Sequence, residues 1–151
     1  LMLAGNDLIM TNVTVRGGHS VADGSGIVRL GEDVVFEIMY RARCEVSDVT
    51  FYICLYDRRD DTLVFHANTR MAHGSIRAVM GDGVVRCRVP SLSLVPGEYR
   101  LDAGILSHSA FMDRESDVLT VRVSPSDYFG TGYSNFSGAG RVLFNHQWEI
   151  T

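Results

Sequence analysis

Seven side chains of this sequence offer recognition chemistry: Tyr52, Tyr56, His66, Asn68, Arg70, Arg100 and Asp102. Two carry aromatic faces and five carry directional hydrogen-bonding groups. Sugars present apolar C–H faces and dense hydroxyls, which proteins meet with aromatic rings on one side and Asp, Asn, Arg and His on the other. Strand alternation brings the seven together. In Thr50–Tyr56, Phe51, Ile53 and Leu55 share one face while Tyr52, Cys54 and Tyr56 share the other. In Leu63–Arg70, Leu63, Phe65 and Ala67 oppose His66, Asn68 and Arg70; in Glu98–Leu106, Tyr99, Leu101, Ala103 and Ile105 oppose Arg100, Asp102 and Gly104. The first set of each is the expected core. A solvated face normally favours Lys, Glu and Thr, so the second set has an unusual make-up. An ordinary mixed surface, or a face covered by another subunit, is the plainer alternative.

Catalytic signatures are missing. The sequence contains no G-x-S-x-G elbow, no H-E-x-x-H and no dinucleotide fingerprint in a βαβ setting. It contains no lysine, which excludes a P-loop lysine or a Schiff-base lysine from this chain. Gly24-Ser-Gly26 and Gly138-Ala-Gly140 are too short for phosphate cradles and read as loops. The histidines, His19, His66, His73, His108 and His146, give no metal-ligand pair on one element, so no metal or other cofactor is expected. Asp57, Asp60 and Asp61 read as a solvated hairpin tip and not a Ca²⁺ loop. No pair among the 18 acids is singled out as a glycosidase dyad.

Composition bounds the rest. The 151 residues suffice for one domain with a sizeable core, and 46% hydrophobic content argues against disorder. The net charge of −4 gives no basic footprint, so no nucleic-acid partner is expected. Cys44, Cys54 and Cys87 lie in apolar runs without a C-x-x-C and read as buried free thiols of a reducing compartment. Leu1-Met-Leu-Ala-Gly-Asn-Asp7 has no basic n-region and reads as the continuation of a longer polypeptide, not as a signal peptide.

The positioning elements are strands. Short β-rich runs alternate with Gly, Asp, Asn and Ser turns, and no segment sustains a capped 3.6-residue period. Strands are expected over Leu8–Arg16, Asp33–Arg43, Val49–Tyr56, Leu63–Asn68, Val84–Val89, Gly97–Ser107, Val118–Val123 and Arg141–Glu149, with a weak one over Ile27–Leu30. Asp57–Asp61 is a hairpin loop, Gly81-Asp-Gly83 opens a strand, and Pro96-Gly97 is a type II turn pair. The count and chain length favour an all-β sandwich over a barrel.

The chain divides into a body (1–123), a Gly/Ser-rich linker (124–140) and a last strand (141–151) completing the sandwich of its own protomer or a partner's. Val142, Phe144, His146 and Trp148 share one face of that strand. Trp148 reads as an interface or core anchor, with sugar stacking as the sharper alternative.

Three segments resemble the C-terminal domain of the ATP-binding subunit of O-antigen polysaccharide ABC transporters, the Wzt type. They are Asp33-Val-Val-Phe-Glu-Ile-Met-Tyr40 with Phe51–Asp57 and Val64–Thr69; Leu94-Val-Pro-Gly-Glu-Tyr-Arg-Leu101 with Asp117–Val123; and the tail from Gly130 to Gly140 closing on His146-Gln-Trp148. The resemblance implies an immunoglobulin-like antiparallel β-sandwich that follows a nucleotide-binding domain, here expected before Leu1. It implies a non-catalytic module that binds finished, often end-modified, O-polysaccharide for export. It also implies a homodimer that exchanges its C-terminal strand, attached through the ATPase domain to a membrane subunit at the cytoplasmic face of the bacterial inner membrane. The alternative is a dimerisation or docking domain without glycan affinity.

Overall fold

The computed structural model describes residues 6–18 and 26–150; the expectations for Leu1–Gly5, His19 and Gly24-Ser25 lie outside the described residues. Seven strands and one helical turn follow in order: β1 (Leu8–Gly17), β2 (Ile27–Arg29), β3 (Val34–Asp57), β4 (Thr62–Asn68), α1 (Thr69–Ala72), β5 (Ile76–Val89), β6 (Gly97–Ser107) and β7 (Ala110–Ser124).

The fold is built on β3. Two separate strands were expected here, Asp33–Arg43 and Val49–Tyr56; they are one strand of 24 residues. Its first half pairs with β1 on one edge (Leu8↔Ala42 to Gly17↔Val34) and with β5 on the other. Its second half pairs with β6 from Val49↔Ser107 and with β4 from Tyr52↔Asn68. Between Ala42 and Val46 the β5 register shifts, and Asp48 adopts φ 50°. A strand that switches sheets through such a bulge makes the corner of a sandwich. The first layer is thus β1-β3-β5 and the second β4-β3-β6-β7-β2. The two are one sheet because β3 runs through both, and it is nearly closed where Met10 of β1 donates its N–H to the Asp113 carboxylate of β7 at 2.7 Å. The ladders are antiparallel except β2 with β7, which is parallel.

The expected core faces meet between the layers. Val34, Phe36 and Ile38 of the first layer face Phe51, Ile53, Leu55, Leu101 and Ile105 of the second, all at most 3% exposed. Each such side chain contributes about 1.5–3 kcal/mol by leaving water. Phe36 lies 6.5 Å from Phe65 and Tyr40 lies 5.1 Å from Phe51 between ring centroids. Tyr99, 1% exposed, donates its hydroxyl to the Val95 carbonyl at 2.5 Å, fixing the Pro96-Gly97 turn from within. This is the geometry of a tyrosine corner. Burial pushes the Tyr99 hydroxyl up to about 12.

Two elements differ from expectation. Gly81-Asp-Gly83 does not open a strand; it lies inside β5, which starts five residues earlier. Leu63 is not core. The register shifts after Leu55, so Leu63 pairs with Tyr56 on the outer face and is 48% exposed.

The linker packs on the body through Ser126, Tyr128 and Phe136, while residues 130–135 and 137–140 are exposed. Ser126 donates to the Leu30 carbonyl at 2.6 Å, the Tyr128 hydroxyl lies 3.0 Å from Ser93 Oγ, and Phe136 is buried. The chain then docks beside Ser93–Val95: Val95 donates to the Arg141 carbonyl (3.0 Å), Leu143 donates to the Ser93 carbonyl (2.7 Å), and Leu94 bridges Val142. Leu143 is buried, and the expected strand Arg141–Glu149 goes no further within this chain. Phe144, Trp148 and Ile150 are 78%, 81% and 93% exposed. Past Leu143 the segment meets no strand edge among the described residues, and an isolated strand is not stable without a ladder.

Candidate functional site

The outer face of β4-β3-β6-β7 is laid out by register, since directly paired residues share a face. One row holds Asn68, Tyr52, Gly104 and Arg114; the next holds His66, Cys54 and Asp102; the third holds Leu63, Tyr56, Arg100 and Thr120. Six of the seven expected residues therefore share the face. Arg70 does not. The chain leaves the strand at Asn68, whose side chain caps α1 by accepting the Met71 N–H at 2.7 Å. Arg70 is carried to the sheet corner, where it donates to Asp48 at 2.6 Å beside Ser75. Asn, followed by residues that tolerate a helical turn, ends the alternation.

The remaining side chains hold one another. The Asn68 amide oxygen is taken by Met71, so its N–H₂ faces His66 Nε2 at 2.9 Å. His66 then carries its proton on Nδ1, 3.1 Å from Cys54 Sγ. Burial pushes the Cys54 thiol up, with Asp102 adding to the effect, so the sulfur stays protonated and is no nucleophile. Asp102 accepts from Arg100 Nε at 3.1 Å and from the Asp117 backbone at 2.8 Å. The Arg100 guanidinium also bonds to Asp61 and lies 4.2 Å from the centre of the Tyr56 ring. Such a cation is held by the ring quadrupole and by both carboxylates at once. Burial raises the Tyr52 and Tyr56 hydroxyls, so both donate and accept as neutral phenols.

Two further residues complete the face. Phe111, 53% exposed, stands edge-on to Tyr52 at 6.3 Å, and Arg114 covers the Phe111 ring at 4.5 Å. Sequence reasoning missed both because β7 was expected to begin at Val118. Its first half, Ala110–Asp117, does not alternate, and the hairpin before it turns on His108 and Ser109 at positive φ without a glycine.

The hairpin tip is an ion-pair network. Asp57, 2% exposed, accepts from the Arg59 backbone (3.0 Å) and guanidinium (2.6 Å) and from Arg141 (3.3 Å). These donors hold its carboxyl below the usual range, and Arg141 does the same for Asp60. Among the described residues no three His, Cys, Asp or Glu side chains converge as metal ligands. The face can bind by stacking and hydrogen bonding.

Comparison with known proteins agrees with this reading of the fold. No curated protein matches the sequence. The crystal structure of the C-terminal domain of Wzt superposes with a TM-score of 0.79 at 15% identity, covering 97% of this chain and 85% of that one. A β-glucuronidase of glycoside hydrolase family 2 gives a TM-score of 0.50 at 14% identity, over 73% of this chain and 12% of the enzyme. A family 2 glycosyl hydrolase from Bacteroides cellulosilyticus DSM 14838 gives 0.50 at 12% identity, over 80% and 16%. At these identities the likeness is one of fold, and the hydrolases share only a small part of their length with it. The sequence profile of the Wzt C-terminal domain matches residues 9–136. The chain therefore belongs to the Wzt C-terminal domain family, non-catalytic domains of transporter ATPase subunits.

Proposed function

We propose that this chain reads O-antigen polysaccharide for export by an ABC transporter and catalyses nothing itself. The single observation behind this is the outer face of β4-β3-β6-β7. Aromatic faces at Tyr52, Tyr56 and Phe111 are interleaved there with His66, Asn68, Arg100 and Asp102. That mixture suits pyranose C–H faces and hydroxyls, and family membership supports it. In this reading transport is driven by an ATPase domain on the cytoplasmic side of the inner membrane.

The dimer is a second part of the proposal. Phe144, His146 and Trp148 alternate along a segment that leaves the body after Leu143 with Phe144 and Trp148 exposed. We read this segment as a strand given to a second copy, with Trp148 as its anchor. A docking domain without glycan affinity would share this tail but not need the aromatic face.

Calorimetric titration with delipidated O-polysaccharide from the source strain tests the reading. Saturable binding that weakens about tenfold in Tyr52→Ala and severalfold in Tyr56→Ala supports it. No heat beyond dilution overturns it.

A further inference from the structure

Tyr52 and Gly104 are direct partners across β3 and β6, and the tyrosine ring lies down over the glycine. A Cβ at Gly104 would collide with the ring, 2.5 Å from Cζ and nearer still to Cε2 and the hydroxyl oxygen. Only glycine lets the ring reach the sheet, covering bare backbone as aromatic residues do over strand glycines. Tyr40 lies over Gly83 in the same way, but in the interior, where its ring packs 5.1 Å from the buried Phe51. That pair is explained by the core. Tyr52 belongs to the outer face, and the rings around it stand at its margins. His66 lies 6.2 Å away at 23°, and Phe111 stands edge-on at 6.3 Å and 68°.

The fourth side of this arrangement is Arg114. It pairs with Gly104 from β7, so it rises on the far side of the Tyr52 ring. It is exposed, rests on Phe111 at 4.5 Å and has no carboxylate partner among the described residues. Tyr56, the other tyrosine on β3, differs on both counts. Its ring is already capped by Arg100, and Arg100 is held by Asp61 and Asp102.

We infer that Tyr52, laid on Gly104 and walled by Phe111 and Arg114, is the primary sugar subsite of this face. It takes one pyranose ring by its C–H face, while the Arg114 guanidinium donates to the ring hydroxyls. Tyr56 and Arg100 form a preset polar shoulder beside it. This inference rests on the glycan-binding reading of the face and specifies where on it the affinity lies.

The test is calorimetry of the whole chain against delipidated O-polysaccharide from the source strain. The variants are Phe111→Ala, Arg114→Ala and Gly104→Ala, with Arg88→Ala on the other layer as control. Phe111→Ala and Gly104→Ala weaken binding at least tenfold, Arg114→Ala severalfold, and Arg88→Ala leaves it unchanged. Should Gly104→Ala fail to fold by circular dichroism, the exposed positions Phe111 and Arg114 carry the test alone. If the wild type binds while Phe111→Ala and Arg114→Ala bind equally well, the subsite is wrong and the glycan reading stands. If the wild type does not bind, the glycan reading fails and the subsite falls with it.

Discussion

Arg141, at the root of the C-terminal segment, is bound to Asp60 in the β3–β4 hairpin of its own chain, Nη1 to Oδ1 at 2.8 Å with a second bond from Nη2 to Oδ2. The same guanidinium reaches the buried Asp57 at 3.3 Å. Together with Leu143 in its buried site, this fixes the tail in cis as far as Leu143. Whatever passes to a second copy begins at Phe144.

The Arg141 contacts make the hairpin acid-sensitive. The folded carboxyls of Asp57 and Asp60 titrate below their unfolded value near 3.9. Their contribution is therefore complete above about pH 5 and is lost as pH falls through the folded values. Arg141→Gln removes part of that depression. Its urea midpoint is expected to fall less than the wild type's between pH 5 and pH 2. A parallel loss in both proteins contradicts the clamp.

Tyr99→Phe removes the buried hydroxyl bond to Val95 and is expected to cost about 1 kcal/mol at pH 7. The sign with pH is opposite to that of the aspartates. The folded phenol is pushed up to about 12 and the unfolded one ionises near 10, so the wild type loses stability as pH rises through that window. Tyr99→Phe lacks this loss, and the gap between the two closes above pH 10. Denaturant unfolding at pH 7 and pH 11 checks both statements.

Removing residues 144–151 takes away the exposed Phe144, Trp148 and Ile150 and the edge-on packing of His146 on Phe129 at 5.0 Å, but no buried residue, so the melting temperature is expected to stay within a few degrees of the full chain. Sedimentation should change instead, from dimer to monomer. A truncated chain that still dimerises means that the exposed tail is not the exchanged element.

Much of the fold was legible because strand alternation is a local signal. Phe51, Ile53, Leu55, Tyr99, Leu101 and Ile105 stand out as one face each in the sequence, and all are buried together. The corner in β3 was not legible. Arg43, Glu45, Ser47 and Asp48 read like a loop, and only the resumption of pairing with β5 at Val46↔Val79 shows that the strand continues past them. Register shifts escaped for the same reason: nothing near Leu63 announces that the bulge after Leu55 turns it outward. Arg70 fell off the expected face because a helical turn costs one capped residue, Asn68, and leaves no longer pattern. The first half of β7, with Phe111 and Arg114, lacks both alternation and a glycine turn. The tail was read as a strand from its pattern, yet a pattern specifies a face and not the edge it pairs with.

The central claim is that the outer face of β4-β3-β6-β7 binds polysaccharide. Its most direct test is an NMR titration of the ¹⁵N-labelled chain with delipidated O-polysaccharide from the source strain. Saturable shifts confined to the amides of β3, β4, β6 and β7 around Tyr52, His66, Asp102 and Arg114 are predicted. Shifts centred on the β1-β3-β5 layer, or none at saturating polysaccharide, would contradict it.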